Sequence, residues 1–374
     1  MGQKAASWPT VSFGRRNQAP RSNVNIVANF PGFTHYKNHV ERILSTGLFK
    51  LQLRSIPMKA AIINDFTRGP EYGEFPDPEV KDGEVEVHVL AAAVSQLARA
   101  RANGTHYSAT STLPIVPGVD AVGETADGEH VYFNSGSNVY GTLAEKAVVN
   151  RRALFPIDNA ADPAIVAATA NPAMSSFMAI KDRLGEDKIR GKRVLVLGAT
   201  GASGQLAIPI SVSFGAAEVI GVGRNPEKLA KLTQFGVSST IKLTDNDDQL
   251  KADLAKVGDV DVVLDYLWGD IAATMIEDMI AQRQDPQHTL TWVQIGSMAG
   301  QSSPLKGSLF RSIDFHLIGS GFGSFTAANL ADDMPALLKM ITDGKIAVPV
   351  TAFPLSEIAE RWDDYGDNRL VFIP

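Results

Sequence analysis

The chain has 374 residues, of which 44% are hydrophobic and 20% charged, with 32 Gly, no Cys and a formal net charge of −6 at pH 7. At roughly 100–200 residues per domain this length predicts two domains with a core large enough to need no staples. The lack of thiols excludes a disulfide scaffold, a thiolate nucleophile, iron–sulfur ligation and every zinc site built on sulfur, and is weak support for a reducing, cytoplasmic location.

Residues 1–57 hold eight Lys and Arg against the single acid Glu41, which puts +7 there and −13 on the remainder. So acidic a body repels phosphate backbones, and no nucleic-acid partner is expected. The same segment carries Val40, Ile43, Leu44, Leu48 and Leu51 at helical spacing. It therefore suits a mitochondrial transit peptide, although an unstructured extension or a start at Met58 accounts for it more simply. His35 and His39 could share a helix face, but only Glu41 lies near as a further ligand, too few for a metal. No run of about 18 apolar residues occurs, so no membrane span is expected.

From Met58 the pattern turns β-rich. Strands are expected over 59–63, 84–92 (EVEVHVLAA, nearly alternating), 117–124 and 129–133, separated by Gly, Pro and Asn, as in an antiparallel or barrel-like unit. After Ala161 helical stretches alternate with apolar strands at 193–197, 218–223, 260–265, 291–295 and 316–319. Such alternation implies a parallel sheet covered on both faces. A helix over 331–342 and a closing strand over 369–374 end the chain.

The most informative motif is Arg193-Val-Leu-Val-Leu-Gly198-Ala-Thr-Gly201-Ala-Ser-Gly204. A glycine turn between a strand and a helix lets backbone N–H groups approach a diphosphate, whose charge is favoured at the helix N-terminus. Gly198, Thr200, Gly201, Ala202, Ser203 and Gly204 are therefore candidate cofactor-binding residues. Pro209 lies within the expected helix and predicts a kink or a late start. The next strand ends in Gly223-Arg224-Asn225-Pro226. An acid at that place would bind a ribose 2′-hydroxyl, whereas Arg224 can neutralise the 2′-phosphate of NADPH. Glu218, at the strand's other end, cannot serve. Asn225 and Pro226 read as N-cap and first residue of the following helix.

These segments, with Met58-Lys-Ala-Ala-Ile-Ile, Gly83-Glu-Val-Glu-Val, Leu113-Pro-Ile-Val-Pro-Gly118-Val-Asp-Ala-Val-Gly123, Tyr140-Gly-Thr-Leu-Ala-Glu145, Val263-Leu-Asp265-Tyr-Leu-Trp-Gly269 and Arg369-Leu-Val-Phe-Ile, resemble the zinc-independent quinone oxidoreductase-like branch of the medium-chain dehydrogenase/reductase superfamily. The match runs in order from Met58 to Pro374. The resemblance implies an α/β fold: a GroES-like β-rich catalytic domain over 58–173, completed by 329–374, beside a Rossmann doubly wound parallel-sheet cofactor domain over 174–328. Where zinc-dependent members carry a Cys and a His-Glu pair, this chain has Ser95 and Val119-Asp120. Without a Lewis acid, substrates that spread charge themselves are implied: quinones or other α,β-unsaturated carbonyl compounds.

The resemblance also points to Tyr107 as a proton donor, with His106 second. It places Ser95 and Ser175 by the nicotinamide and its ribose, and Gly296 and Ser297 at a strand end facing the cofactor. Each of these also suits ordinary turn or loop chemistry, and Asp265 could simply cap a turn. The alternatives are a 2-enoyl thioester reductase, for which Arg99 and Arg101 would be the basic rim, and a non-catalytic NADPH-binding protein with a sensing, structural or RNA-binding role. Relatives often pair through the edge of the Rossmann sheet, and the strand at 316–319 could form such a homodimer.

Overall fold

The computed structural model describes residues 57–105, 109, 110, 112–244, 247–364 and 366–374. The basic segment with His35 and His39, and the loop residues His106 and Tyr107, lie outside the described residues.

A short antiparallel pair, β1 (Met58–Ile62) and β2 (Glu71–Phe75), comes first. β3 (Glu84–Ala93) follows and leads through Ser95 into α1 (Gln96–Ala102); then come β4 (Asp120–Thr125), β5 (His130–Asn134), β6 (Lys146–Asn150) and β7 (Leu154–Pro156). Alternation along β3 buries Val87 and Val89, and the strand is shared among several partners: its first half pairs with β6 and its middle with β4, with a register shift between Val89 and Ala91.

The chain then enters α2 (Pro163–Met178), capped by Asp162 with Pro163 at its start. Its Ala-rich surface allows close approach, and it packs on β3 and β4 as well as on the helices that follow. With its continuation, 163–184 forms a helix that is long and apolar enough to cross a membrane by length and mean composition, although polar residues such as Thr169, Asn171 and Ser175 interrupt it. Of that apolar window 72% is buried inside the fold, as in the core helix of a globular unit.

Strand and helix now alternate: β8 (Arg193–Leu197), α3 (Ala202–Ser213), β9 (Glu218–Gly223), α4 (Pro226–Lys231), β10 (Ser239–Lys242), α5 (Asp247–Val257), β11 (Val262–Asp265), α6 (Gly269–Ala281), β12 (Leu290–Gln294) and β13 (Phe315–Gly319). The six strands form one parallel sheet in the order β10-β9-β8-β11-β12-β13. The winding direction therefore reverses between β8 and β11, the place where open sheets of this kind bind ligands. After α7 (Ala327–Thr342), β14 (Val350–Pro354) and β15 (Arg369–Ile373) return to the mixed sheet, ordered β14-β15-β3-β4-β5-β7 with β6 on β3.

The structure is thus a two-domain α/β fold, one part built on a mixed sheet and the other on a parallel sheet. Of the two outcomes expected at Pro209, the late start does not occur: α3 begins at Ala202, directly after the glycine turn, and runs through Pro209 to Ser213. The hydroxyls of Ser211 and Ser213 donate back to the carbonyls of Ala207 and Pro209 in that stretch.

Candidate cofactor and substrate cleft

A cleft of about 590 Å³ opens where β8, β11 and β12 end, and β15 and the start of α1 form its other wall. It brings together Ser95, Ser175, Gly198, Thr200, Gly201, Ala202, Ser203, Gly204, Gly223, Arg224, Asn225, Gly296 and Ser297. Of the residues proposed from sequence for cofactor or catalysis, Tyr107 and His106 alone fall outside the described residues.

The glycine turn is shaped by close backbone approach. Gly198 has φ +90°, a conformation that favours glycine. A Cβ on Gly204 would come within 2.2 Å of the Gly198 carbonyl oxygen, so the first turn of α3 lies directly on the strand it follows. A Cβ on Gly223 would lie 2.8 Å from Thr200 Cγ2, which locks the end of β9 against the same turn. Gly201 caps α3 without any side-chain acceptor. The first N–H groups of the helix, at Ala202, Ser203 and Gly204, thus stand at the cleft wall, and a diphosphate would satisfy them.

At the next strand end, Asn225 Oδ1 accepts from Lys228 N at 3.0 Å, so Asn225 is the N-cap of α4, with Pro226 after it. Arg224 is exposed there and lines the cleft. Glu218, at the far end of β9, is paired with Arg193 at 2.8 Å. Lys228, one turn into α4, also reaches the cleft.

The serines have local duties. Ser95 Oγ, buried, accepts from Ala98 N at 3.0 Å as the N-cap of α1. It retains a proton to donate. Ser175 Oγ donates to the Pro172 carbonyl at 2.7 Å, so the 3.3 Å contact with Tyr266 Oη is one in which the phenol donates. Burial pushes the Tyr266 phenol up to about 12, although bonds to Ser175 and Ser176 oppose this, and the group stays protonated. A Cβ on Gly296 would sit 2.6 Å from the Tyr266 carbonyl oxygen, so only glycine lets the loop after β12 close on Tyr266. Ser297 Oγ accepts from Gln301 Nε2 at 3.1 Å.

Asp265 is a structural residue. It is buried, with Oδ1 accepting from the Leu267 and Trp268 N–H groups and Oδ2 from Trp292 Nε1. Asp120, fully buried, accepts from the Tyr132 hydroxyl at 3.1 Å. Burial pushes its carboxyl up to about 7 against the pull of the nearby Arg369 guanidinium and of Tyr132. Arg369 lines the cleft from β15. Arg99 stacks on Trp362 at 5.0 Å, with Asp363 at 3.9 Å, and lines an adjoining pocket that shares Thr200, Gly201, Ala202, Lys228 and Arg369 with the cleft.

The sequence does not single out Lys228, Tyr266 or Arg369. Tyr266 and Lys228 follow features it did yield, the β11 end and the α4 cap. Arg369 lies within a matched motif, but its place at the cleft depends on β15 pairing with β3.

No family model matches the chain. Among curated proteins, "Probable NADPH-dependent quinone reductase tdiC" of Emericella nidulans is 30% identical over 360 residues, 85% of this chain and 100% of the relative. "NADPH-dependent alkenal/one oxidoreductase, chloroplastic" of Arabidopsis thaliana is 27% identical over 45% of this chain and 47% of the relative. Among solved structures, the quinone oxidoreductase of Thermus thermophilus, described alone and with NADPH, aligns with TM-score 0.69 at 21% identity, over 85% of this chain and 100% of that one. The last is a likeness of fold, with the same two-part architecture. With a full-length relative at that level of identity, the chain belongs to the quinone oxidoreductase-like branch of the medium-chain dehydrogenase/reductase superfamily.

Proposed function

We propose that the protein is an NADPH-dependent reductase of quinones or other α,β-unsaturated carbonyl compounds, acting without zinc. The observation that carries this reading is the cleft itself: the glycine turn and first turn of α3 offer backbone donors at one point, and Arg224 and Lys228 stand at the next strand end. That arrangement fits a diphosphate followed by a phosphorylated ribose. The names of the relatives in Emericella nidulans and Arabidopsis thaliana support the cofactor and the substrate class.

When bound, NADPH supplies the hydride. The glycine turn, Arg224 and Lys228 would hold the nucleotide, and Ser175 and Tyr266, which line the same cleft, would help to orient it. Tyr107 is the proposed proton donor to the substrate oxygen. The positions where zinc-dependent relatives place metal ligands support zinc independence: the Ser95 oxygen is engaged as a helix cap, and Asp120 is bonded to Tyr132 inside the mixed sheet. Thioester reduction is less favoured, because Arg99, of the one basic pair there, is already engaged by Trp362 and Asp363. The place of β13 at the open edge of the parallel sheet supports a homodimer formed through that edge, which sedimentation at two protein concentrations would detect.

Titration with NADPH and NADH tests the cofactor reading. Charge-assisted contacts to the extra phosphate contribute about 1.5–3 kcal/mol, so NADPH should bind tighter by about one to two decades. Oxidation of NADPH by a simple quinone should then exceed that by a crotonyl thioester. Equal or undetectable uptake of both nucleotides overturns the reading, and faster turnover of the thioester moves the function to enoyl thioester reduction.

A further inference from the structure

Lys228 stands at the edge of the cleft, and an ion pair that the cofactor reading leaves unexplained joins it to Asp367, which lines an adjoining pocket sharing Thr200, Gly201, Ala202, Lys228 and Arg369 with the cleft. Lys228 Nζ lies 2.6 Å from Asp367 Oδ1, and Lys231 Nζ lies 4.0 Å from Asp367 Oδ2. The two lysines stand on one side of α4, three residues apart. Asp367 comes from the opposite wall, in the segment that leads into β15 of the mixed sheet. That segment is fixed by its neighbours: Asn368 Nδ2 donates to Thr351 Oγ1 at 3.0 Å, and Arg369 N to the Pro349 carbonyl at 2.7 Å. The carboxylate is therefore held over the α4 lysines from a tethered backbone.

We propose that Asp367 is a latch residue that occupies Lys228 in the free protein and is displaced from it by the 2′-phosphate of NADPH. The proposal rests on the cofactor reading above. Side-chain exposures of 41% for Lys228 and 60% for Asp367 place the pair in water, where an ion pair holds a fold together only weakly. Its position is informative. Lys228 lines the cleft beside Arg224 and Asn225, so the cation that Asp367 engages is one that a phosphorylated ribose would need. The bond to Lys228 also holds the Asp367 carboxyl below the usual carboxylate range, so it is charged wherever the nucleotide binds.

A phosphate arriving at Lys228 must take the place of one anion and sit close to it. NADH brings no group that competes for the lysine. Asp367 thus lowers the affinity for the phosphorylated cofactor alone, and re-forming the pair assists release of the spent nucleotide.

Fluorescence titrations of the full chain with NADPH and NADH test this. Asp367→Asn should tighten NADPH about three- to tenfold at low salt, while NADH stays within about twofold. In a Lys228→Met background the same substitution should give no gain, because the two residues act through one contact. Asp367→Ser provides a second variant and should behave alike. Unchanged or weaker NADPH binding, an equal gain for NADH, or a gain that persists without Lys228 overturns the latch. If the wild type prefers NADPH and Asp367→Asn changes nothing, the latch alone fails; if the wild type does not distinguish the two nucleotides, the cofactor reading fails and the latch with it.

Discussion

Two phenols bear on how charge at a substrate oxygen would be met in this cleft. Tyr266 is buried at the end of β11, its hydroxyl donates to Ser175, and its carbonyl is covered by Gly296. A phenol pushed up to about 12 and already bonded is a poor source of protons. Tyr107, outside the described residues, is the proton donor proposed above, and the residue-scale prediction separates the two. Tyr107→Phe should cut turnover at least about tenfold, roughly 1.4 kcal/mol of barrier, with NADPH binding unchanged. Tyr266→Phe should alter nucleotide binding more than the maximal rate. Steady-state kinetics with a quinone, together with NADPH titration, read both. An unchanged rate in Tyr107→Phe with a large loss in Tyr266→Phe would transfer the proton to Tyr266.

The strand–turn–helix unit of β8 and α3 is the element on which nucleotide binding depends. Its geometry is set by contacts too close for any side chain, as the 2.2 Å approach of a Gly204 Cβ to the Gly198 oxygen demonstrates. Gly204→Ala must push the helix start away from the strand, spreading the N–H groups that converge at the turn. We expect at least about tenfold weaker NADPH binding and a loss of about 1–3 kcal/mol of stability, the range for overpacking at a fixed backbone. Gly201→Ala, at a position with φ −83° and no contact closer than 3.5 Å, should be far milder. Equal effects of the two would show that the close approach is not what matters. This unit was legible in the sequence because glycine spacing, apolar strand and following helix all depend on local chemistry. By contrast, β2, β6, β7, β10 and β14 were not. Segments such as Glu71–Phe75 and Ser239–Lys242 are short and polar, and they become strands only by pairing with partners distant in sequence. The early start of α3, ahead of Pro209, also rests on tertiary structure: packing against α2 outweighs one lost backbone bond.

At the scale of the whole molecule, the cleft exists because the last strand of the chain returns to β3 and brings Arg369 opposite the glycine turn. The division into a β-rich and a parallel-sheet part was legible from texture alone, whereas the buried charges were not, since burial is a property of the assembled fold. Asp120 is the clearest case. Its carboxyl titrates near 7 when folded and near 3.8 when exposed, chiefly because burial penalises the charged form. Between those values the folded chain keeps a proton that the unfolded chain has released, so this group's stabilising contribution is complete below about 3.8 and is lost as pH rises to about 7. Above that it changes no further. Asn keeps the shape but carries no ionisable group. Relative to the wild type, Asp120→Asn should therefore gain about 1–3 kcal/mol between pH 5 and 7.5, as read by urea unfolding at both values. Comparing the two proteins cancels the titration of every other group. Parallel stability profiles would mean that the Arg369 guanidinium and the Tyr132 hydroxyl already keep Asp120 ionised, and that burial is not the dominant influence on it.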